Sequence, residues 1–343
     1  MDLTKPSAWK VAAVVSFYMV AALVMVFVNK AVLISTPDVP LLFLLLQLLL
    51  AVALLHIGAF ITPKIELPAL DLRDAKALLP VVAVNIIGLV FNMLCLRDVE
   101  ASFFQIARGL VLPLTIAVSA YWTRTKPKIQ PVLASAIITL GFFIGVAPER
   151  SLPVASIPSV ISLVYGLLSS LMIALHAVLI KSALPICNNS TIQLAYWTNL
   201  GSAILLAPFI LIVGEPSKLL ALVSEPQSNI RILLWGSLVT GIFGFLLCIA
   251  GLLSIKVTSP VTHMVSSAAR SVLQTLLGVW IFSDILTIQR MTSLSAILGG
   301  TLYYTWLKSS QSGPTQQTSR PRDAEAAISQ DIDRKEEGKP EGK

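Results

Sequence analysis

The sequence has 343 residues, of which 55% are hydrophobic and 13% are charged, and its formal net charge is +7 at pH 7. Soluble domains carry roughly 25% charged residues, so this composition excludes an ordinary soluble protein and indicates long membrane-spanning segments. Most lysines and arginines lie in short loops between apolar runs, and no basic stripe alternates with aromatic residues, which excludes a nucleic-acid-binding protein.

Ten apolar segments are each long enough to cross a bilayer as a helix, which satisfies its own backbone hydrogen bonds. We therefore predict an all-α polytopic membrane protein with ten transmembrane helices. The first segment is too long for a cleavable signal peptide, so we expect it to be retained. The polar stretch 309–343 predicts a disordered cytosolic tail. The segments are residues 9–34, 39–61, 77–96, 101–122, 129–147, 160–184, 191–213, 232–254, 260–282 and 291–307.

The distribution of positive charge predicts the orientation of the chain. Loop lysines and arginines are more frequent on the side of the N-terminus than on the opposite side, so we expect that side to face the cytosol. An even number of spans then places both termini in the cytosol. The overlapping glycosylation sequons at Asn188 and Asn189 would lie in a cytosolic loop, and we expect them to be unused.

The two halves of the sequence resemble each other. Residues 99–105 can be aligned with 257–263, and Gly141 with Gly300, at a nearly constant offset. A five-helix unit followed by a similar five-helix unit must be inverted in the membrane, because five is odd. Inverted repeats are typical of secondary transporters, whose site lies near the midplane between the halves. We predict repeats at 1–147 and 148–308.

Two arginines lie inside apolar segments, Arg108 in the fourth and Arg270 in the ninth, and no acidic residue within the segments could pair with them. A charge at the centre of a membrane helix costs about 2.5–3.5 kcal/mol, so such residues are usually functional. Two guanidinium groups suit a phosphate-bearing ligand, which they bind bidentately. In the ninth segment, residues at helical spacing form one polar stripe: His263, Ser266, Ser267, Arg270 and Gln274. The fourth segment has a roughly similar polar stripe: Ser102, Gln105, Arg108, Thr115 and Ser119.

Structural alternatives remain open at several of these positions. The two arginines could bind backbone carbonyls of broken helices, Lys30 could extend to the interface from the end of the first helix, and His56 and His176 could be packing residues. The sequence contains no phosphate-binding glycine loop and no metal-binding motif, so we expect neither an enzyme nor a cofactor. No carboxylate lies mid-membrane, which favours exchange of anions over proton or sodium coupling.

Five short stretches carry a family resemblance: residues 29–30, 91–96, 103–110, 258–275 and 299–306. In this order and at these spacings, the chain from about the first helix to Lys308 resembles the nucleotide-sugar and triose-phosphate transporters of the drug/metabolite transporter superfamily, and in particular their GDP-fucose branch. Related GDP-mannose carriers have Gly-Ala-Leu-Asn-Lys in the ninth helix. Here the segment from Ser266 to Arg270 keeps the positive charge and lacks the glycine and asparagine.

The resemblance implies an antiporter of the Golgi membrane, with the ER membrane as the alternative compartment, that imports GDP-fucose or GDP-mannose in exchange for GMP. Its expected partners are these nucleotides and the lipid bilayer, and a second copy of the chain is a further option. The alternative is a sugar-phosphate/phosphate antiporter of the triose-phosphate or phosphoenolpyruvate type. The implied substrate-binding residues are Arg270 and Arg108 at the phosphates, with Ser266, Ser267, Tyr196, Asn199, Asn29 and Lys30 around them.

Overall fold

The computed structural model describes residues 8–62, 65–148, 158–224, 229–257 and 260–311, with side chains except at 8, 10–12, 248–268, 309 and 311. Within these ranges every regular element is a helix, as predicted. A 3₁₀ turn, Leu184–Cys187, follows the seventh helix. The α-helices are α1 (Ala8–Ser35), α2 (Pro40–Ile61), α3 (Leu72–Asp98), α4 (Phe103–Ala107), α5 (Val111–Thr123), α6 (Ile129–Val146), α7 (Val160–Ala183), α8 (Thr191–Val213), α9 (Glu215–Ser224), α10 (Ile230–Val257), α11 (Pro260–Phe282) and α12 (Ile288–Gln311).

Eight helical segments of the described chain are long and apolar enough to cross a membrane, and they coincide with the first eight predicted spans. The fourth of these, Phe103–Thr123, combines α4 and α5. The predicted ninth span forms α11, whose apolar stretch within the described side chains, Ala269–Phe282, is shorter than a span. The predicted tenth span forms α12 and continues to Gln311. The remainder of the predicted tail, 312–343, lies outside the described residues.

Local sequence explains where several helices begin and end. The Ser159 and Ser190 hydroxyls accept hydrogen bonds from the backbone N–H groups of Ser162 and Gln193, so each serine caps a helix N-terminus. Gly214 has φ of 75°, a left-handed conformation that ends α8 with little steric cost. The chain then continues directly into α9, a short helix that the sequence pattern does not predict.

The bundle is organised by three long helix pairs. α6 packs along α12, α3 along α7, and α1 along α10, and α2 contacts both α8 and α10. Large apolar side chains such as Phe43, Phe103 and Leu206 fill the space between the pairs. Two glycines permit the close approach of α6 and α12: a Cβ on Gly141 would lie 2.9 Å from the Cβ of Ala296, and one on Gly300 would lie 2.6 Å from Cγ1 of Ile138.

The helix of the fourth predicted span is broken between Ala107 and Val111. Pro113 explains the break, because it has no N–H to donate to the carbonyl of Gly109 and its ring would clash with that carbonyl. Pro113 is tolerated in the first turn of α5, where the N–H groups have no helical partner. The span predicted at 101–122 is therefore formed by two helices, and the break lies beside one of the two intramembrane arginines.

Candidate functional site

Arg108 lies at the broken point of the fourth span. It is the C-terminal cap of α4, with φ of −93° and ψ of 2°, so its backbone is no longer helical. Its guanidinium stacks 5.4 Å from the ring centroid of Phe104, one turn earlier. The Nε atom of Arg108 is buried and has no hydrogen-bond partner. The break therefore presents a buried cation with an unused donor within the span.

Arg270, on α11, resembles Arg108 in that its Nε is also buried without a hydrogen-bond partner. The two guanidinium groups interact electrostatically, like charge with like charge. Among the described side chains, neither arginine forms an ion pair with a carboxylate. The structure thus brings together the two arginines that the sequence singled out, one from each half of the chain, and an anion between them would relieve their mutual repulsion.

The predicted residues on α8 have protein contacts in this structure. Tyr196 is buried, and its ring packs edge-on against His56 of α2 with centroids 5.4 Å apart. The side-chain amide of Asn199 donates to the carbonyl of Ala195 at 2.7 Å, within its own helix. One turn further along, the Ser202 hydroxyl accepts from the Asn85 amide at 3.1 Å, which ties α8 to α3.

Asn29 and Lys30 are both buried at the end of α1, and both are bound to neighbouring helices. The Lys30 ammonium donates to the carbonyls of Leu96, Arg97 and Val99 at 2.6–3.0 Å. These three bonds use all its donors and satisfy carbonyls at the C-terminal end of α3. Asn29 accepts from the Gln47 amide at 2.9 Å. In this conformation the pair is bound to protein atoms.

The remaining predicted contacts belong to α11. The side chains of Ser266 and Ser267, like that of His263, lie outside the described residues. Further along the helix, the predicted stripe residue Gln274 is fully buried and accepts a hydrogen bond from Gln105 of α4, which belongs to the polar face predicted for the fourth span. Gln274 also donates to the carbonyl of Ala101 at 3.3 Å. The two polar stripes therefore meet across the interface between the halves.

Sequence reasoning missed a second feature beside Arg108, a cavity of about 180 Å³ between α3 and α7. Asn92 of α3 and His176 of α7 line it together with Arg108, and both carry buried polar atoms without partners. Asn85 also lines it. Asn85 and Asn92 are seven residues apart, which is two helical turns, so their common face was the signal available in the sequence.

A cluster of polar contacts joins the two halves at one end of the bundle, and we call it the inter-half polar cluster. In this cluster Glu100 pairs with Arg290, and Asp284 accepts a hydrogen bond from the Ser102 backbone N–H at 2.7 Å. The Gln289 amide donates to the carbonyls of Ile144 and Ala147. The Glu215 carboxylate accepts from the backbone N–H groups of Leu41 and Leu42. Arg290 is only 2% exposed. These contacts hold the two halves together at that end.

Two carboxyl groups of this cluster lie outside the membrane-spanning segments and are sensitive to their burial. Burial raises the pKa of the Glu215 carboxyl, although the N–H groups of Leu41 and Leu42 oppose the shift by stabilising the carboxylate. Burial likewise raises the pKa of the Asp284 carboxyl, against the hydrogen bond from the backbone N–H of Ser102. In both cases, loss of water around the carboxylate outweighs the hydrogen bonds that it accepts.

Comparisons with known proteins show which family this chain resembles over most of its length. The model of the Triose-phosphate Transporter family matches residues 9–305. GDP-fucose transporter 1 of Mus musculus is 30% identical over 327 residues, covering 93% of this chain and 88% of that protein. GDP-fucose transporter 1 of Dictyostelium discoideum is 29% identical over 86% of this chain and 79% of its own length. The Golgi GDP-fucose transporter of Drosophila melanogaster is 28% identical, covering 87% and 90%.

The broken membrane helix, the two arginines with buried, unpaired Nε atoms and the family match over nearly all the helical region define a membrane transporter. The chain belongs to the Triose-phosphate Transporter family. The family resemblance read from the sequence is thereby confirmed.

Proposed function

We propose that this chain is a GDP-sugar antiporter of the Golgi membrane, which imports GDP-fucose or GDP-mannose and returns GMP. The observation that carries the proposal is that Arg108 and Arg270 each have a buried Nε atom without a hydrogen-bond partner. Such a pair suits a diphosphate, because guanidinium groups bind phosphate oxygens in a fixed planar geometry. The relatives named as GDP-fucose transporters support a guanosine nucleotide as the carrier of that diphosphate.

In this proposal the remaining predicted residues surround the diphosphate. Ser266 and Ser267 lie on α11 one turn before Arg270, and Tyr196 and Asn199 lie on α8. We assign these four to the base and sugar. Asn29 and Lys30 have protein partners in the present conformation. Contact with the substrate would require them to leave those partners during transport. Their role in substrate binding stays a prediction.

Obligatory exchange follows from the charges. When the site is empty, Arg108 and Arg270 repel each other, and moving two uncompensated cations past apolar surroundings is unfavourable. A bound nucleotide neutralises both, and either GDP-sugar or GMP can do so because each carries phosphate. We propose that only the loaded carrier reorients readily, which couples import of one anion to export of the other.

We further propose ten spans arranged as two inverted five-helix repeats, 1–147 and 148–308. Contacts between α6 and α12 support this arrangement because they are reciprocal. A Cβ on Gly141 would lie 3.1 Å from the carbonyl oxygen of Ser293, and one on Gly300 would lie 3.2 Å from that of Ala134. Gly300 corresponds to Gly141 in the sequence alignment of the halves, and at the same offset Ser293 corresponds to Ala134. Such an exchange of roles is expected from a twofold axis between the repeats.

The orientation and compartment are part of the same proposal. Both termini would be cytosolic in the Golgi membrane, with the ER membrane as the alternative and a second copy of the chain as an option for assembly. Glycosylation mapping tests the orientation: the sequons at Asn188 and Asn189 should stay unmodified, whereas a sequon inserted between α9 and α10 should be modified. Modification of the native sequons would reverse the proposed topology.

Counterflow into proteoliposomes tests the transport reaction. Vesicles preloaded with GMP, UMP or phosphate are given labelled GDP-fucose or GDP-mannose. Uptake that requires internal GMP is the expected result, and the better label identifies the sugar. Uptake of triose phosphate that requires internal phosphate would overturn the proposal and favour a sugar-phosphate carrier.

Arg270→Ala tests the binding assignment in the same vesicles. We expect exchange to be lost while the protein stays folded, because the diphosphate loses its main cation. Arg270→Lys, which keeps the charge without the planar fork, should retain part of the activity. Normal exchange by Arg270→Ala would refute the role of this residue.

A further inference from the structure

The cavity between α3 and α7 contains an unusual concentration of unsatisfied polar atoms. Among the described side chains, six buried side-chain atoms have no hydrogen-bond partner, and three of them belong to residues that line this one cavity. They are Oδ1 of Asn92, Nε of Arg108 and Nε2 of His176. Buried polar groups in proteins are nearly always paired, so three that border a common space indicate a ligand that occupies it.

The chemistry of these atoms restricts the ligand. Oδ1 of Asn92 accepts and therefore requires an O–H or N–H from the ligand, whereas Nε–H of Arg108 donates and requires an acceptor. Nε2 of His176 can take either role according to the tautomer. A ligand group that offers donors and acceptors side by side fits this set, and a sugar ring with several hydroxyls is such a group.

The position of Arg108 relates this cavity to the phosphate site. The same guanidinium that interacts with Arg270 of α11 also lines the cavity between α3 and α7. A phosphate bound by the two arginines would therefore be adjacent to the cavity. The lining contains no phenylalanine, tyrosine or tryptophan among the described residues, so it provides no aromatic ring on which a purine could stack.

We infer that this cavity binds the sugar of the nucleotide sugar, with Asn92 and His176 hydrogen-bonded to its hydroxyls and Arg108 to the adjoining phosphate. This assignment rests on the proposed function, because it takes the diphosphate to lie between Arg108 and Arg270. It makes Asn92 and His176 specificity-determining residues: they contact the part of GDP-sugar that GMP lacks. The nucleotide then lies on the Arg270 side.

The test compares two exchange reactions of the same protein. In proteoliposomes preloaded with GMP, labelled GMP uptake reports the nucleotide alone, and labelled GDP-fucose or GDP-mannose uptake reports the nucleotide with its sugar. For Asn92→Leu and His176→Leu we expect KM for the GDP-sugar to rise about tenfold, the loss of roughly one good hydrogen bond. KM for GMP should be unchanged in both variants.

Two features make the result decisive. Retained GMP exchange shows that each variant is folded, and Asn92→Leu replaces an unsatisfied amide with an apolar group of similar shape, which is well tolerated. Ser170→Ala is the matched control: Ser170 is fully buried on α7, its hydroxyl has no partner, and it does not line the cavity. It should leave both reactions unchanged.

The outcomes separate the sugar assignment from the proposed function. Equal changes in the two KM values, or no change in either, would overturn the sugar site while GDP-sugar exchange by the wild type still supported the transporter. Failure of the wild type to exchange a GDP-sugar for GMP would overturn the proposed function, and the sugar site with it, before any variant is compared.

Discussion

At the scale of single residues, the buried charges of this protein fall into two groups. Lys30 and Glu215 are hydrogen-bonded to backbone groups. Arg290 donates to the carboxylate of Glu100 and to the carbonyl of Ile285. Arg108 and Arg270 each retain a buried Nε without a partner. A buried cation with incomplete partners lowers the stability of the empty protein. The first group therefore stabilises the fold, and the second is suited to a ligand.

Substitution of Lys30 tests whether a fully hydrogen-bonded buried charge stabilises the fold. Lys30→Met keeps the length of the side chain but leaves the carbonyls of Leu96, Arg97 and Val99 without their donor, so the free energy of unfolding should fall by about 1–3 kcal/mol. The midpoint of thermal unfolding in detergent measures this change. KM for GMP, measured with the folded fraction, tests the predicted substrate contact: an unchanged value would limit Lys30 to holding the end of α3.

Arg108→Leu should have the opposite pattern. Removal of a buried, incompletely satisfied guanidinium should raise the unfolding temperature of the empty protein, because its desolvation cost is lost. The stabilisation that saturating GMP gives to the wild type should disappear in this variant. A lower unfolding temperature together with normal stabilisation by GMP would show that Arg108 is structural.

At the scale of elements, the interrupted fourth span determines where Arg108 lies. Pro113 prevents the N-terminal turn of α5 from joining α4, and Gly109 at the break lies close to α12: a Cβ there would be 2.7 Å from Cδ1 of Ile297. Broken helices are common at transporter sites because their free ends and altered direction serve the ligand. The break therefore connects helix packing with the position of a charge.

Pro113→Ala should let the helix extend through the break. Alanine has an N–H that can donate to the carbonyl of Gly109, and it favours the helical conformation. We expect a rise in KM for GMP without loss of folded protein, since Arg108 would turn with the helix. Pro208→Ala is the control, because Pro208 lies inside α8, which is continuous. Equal kinetic effects of both variants would contradict a specific role for the break.

At the scale of the whole molecule, the contacts between α6 and α12 join the two halves through glycines. Gly141 and Gly300 allow the backbones to approach, and the inter-half polar cluster holds one end of the same interface. The proposed exchange requires the halves to move while this interface remains packed. Small residues at a helix interface suit that requirement because they keep the backbones close through van der Waals contact.

Alanine substitutions at the neighbouring Gly299 and Gly300 of α12 test how closely α12 packs against α6. In Gly300→Ala the new methyl group would meet Ile138 and the carbonyl of Ala134, so we expect a loss of about 1–3 kcal/mol in unfolding free energy from overpacking. Gly141→Ala should lose a similar amount if the contacts are reciprocal. In Gly299→Ala nothing lies within 4 Å, and this control should be neutral or slightly stabilising. Equal unfolding temperatures of all three variants would contradict the packing argument.

The membrane character, the positions of the first eight spans and the presence of Arg108 and Arg270 inside apolar segments all follow from the sequence. Apolar runs of spanning length and charges inside them are local properties of the chain, and the energetic cost that makes them informative comes from the bilayer rather than from neighbouring helices. Proline at 113 was likewise visible, but its consequence was missed, because a proline within a membrane helix can either kink or break it.

The partners of the polar residues depended on tertiary structure. Lys30 and Arg108 are both buried cations, and only the positions of α3 and of the broken span determine that Lys30 meets three carbonyls whereas Nε of Arg108 meets none. Asn92 and His176 are distant in sequence and become one polar cavity wall because α3 packs along α7. Hydrogen bonding acts over about 3 Å, so its outcome is determined by contacts between remote segments, which no local pattern contains.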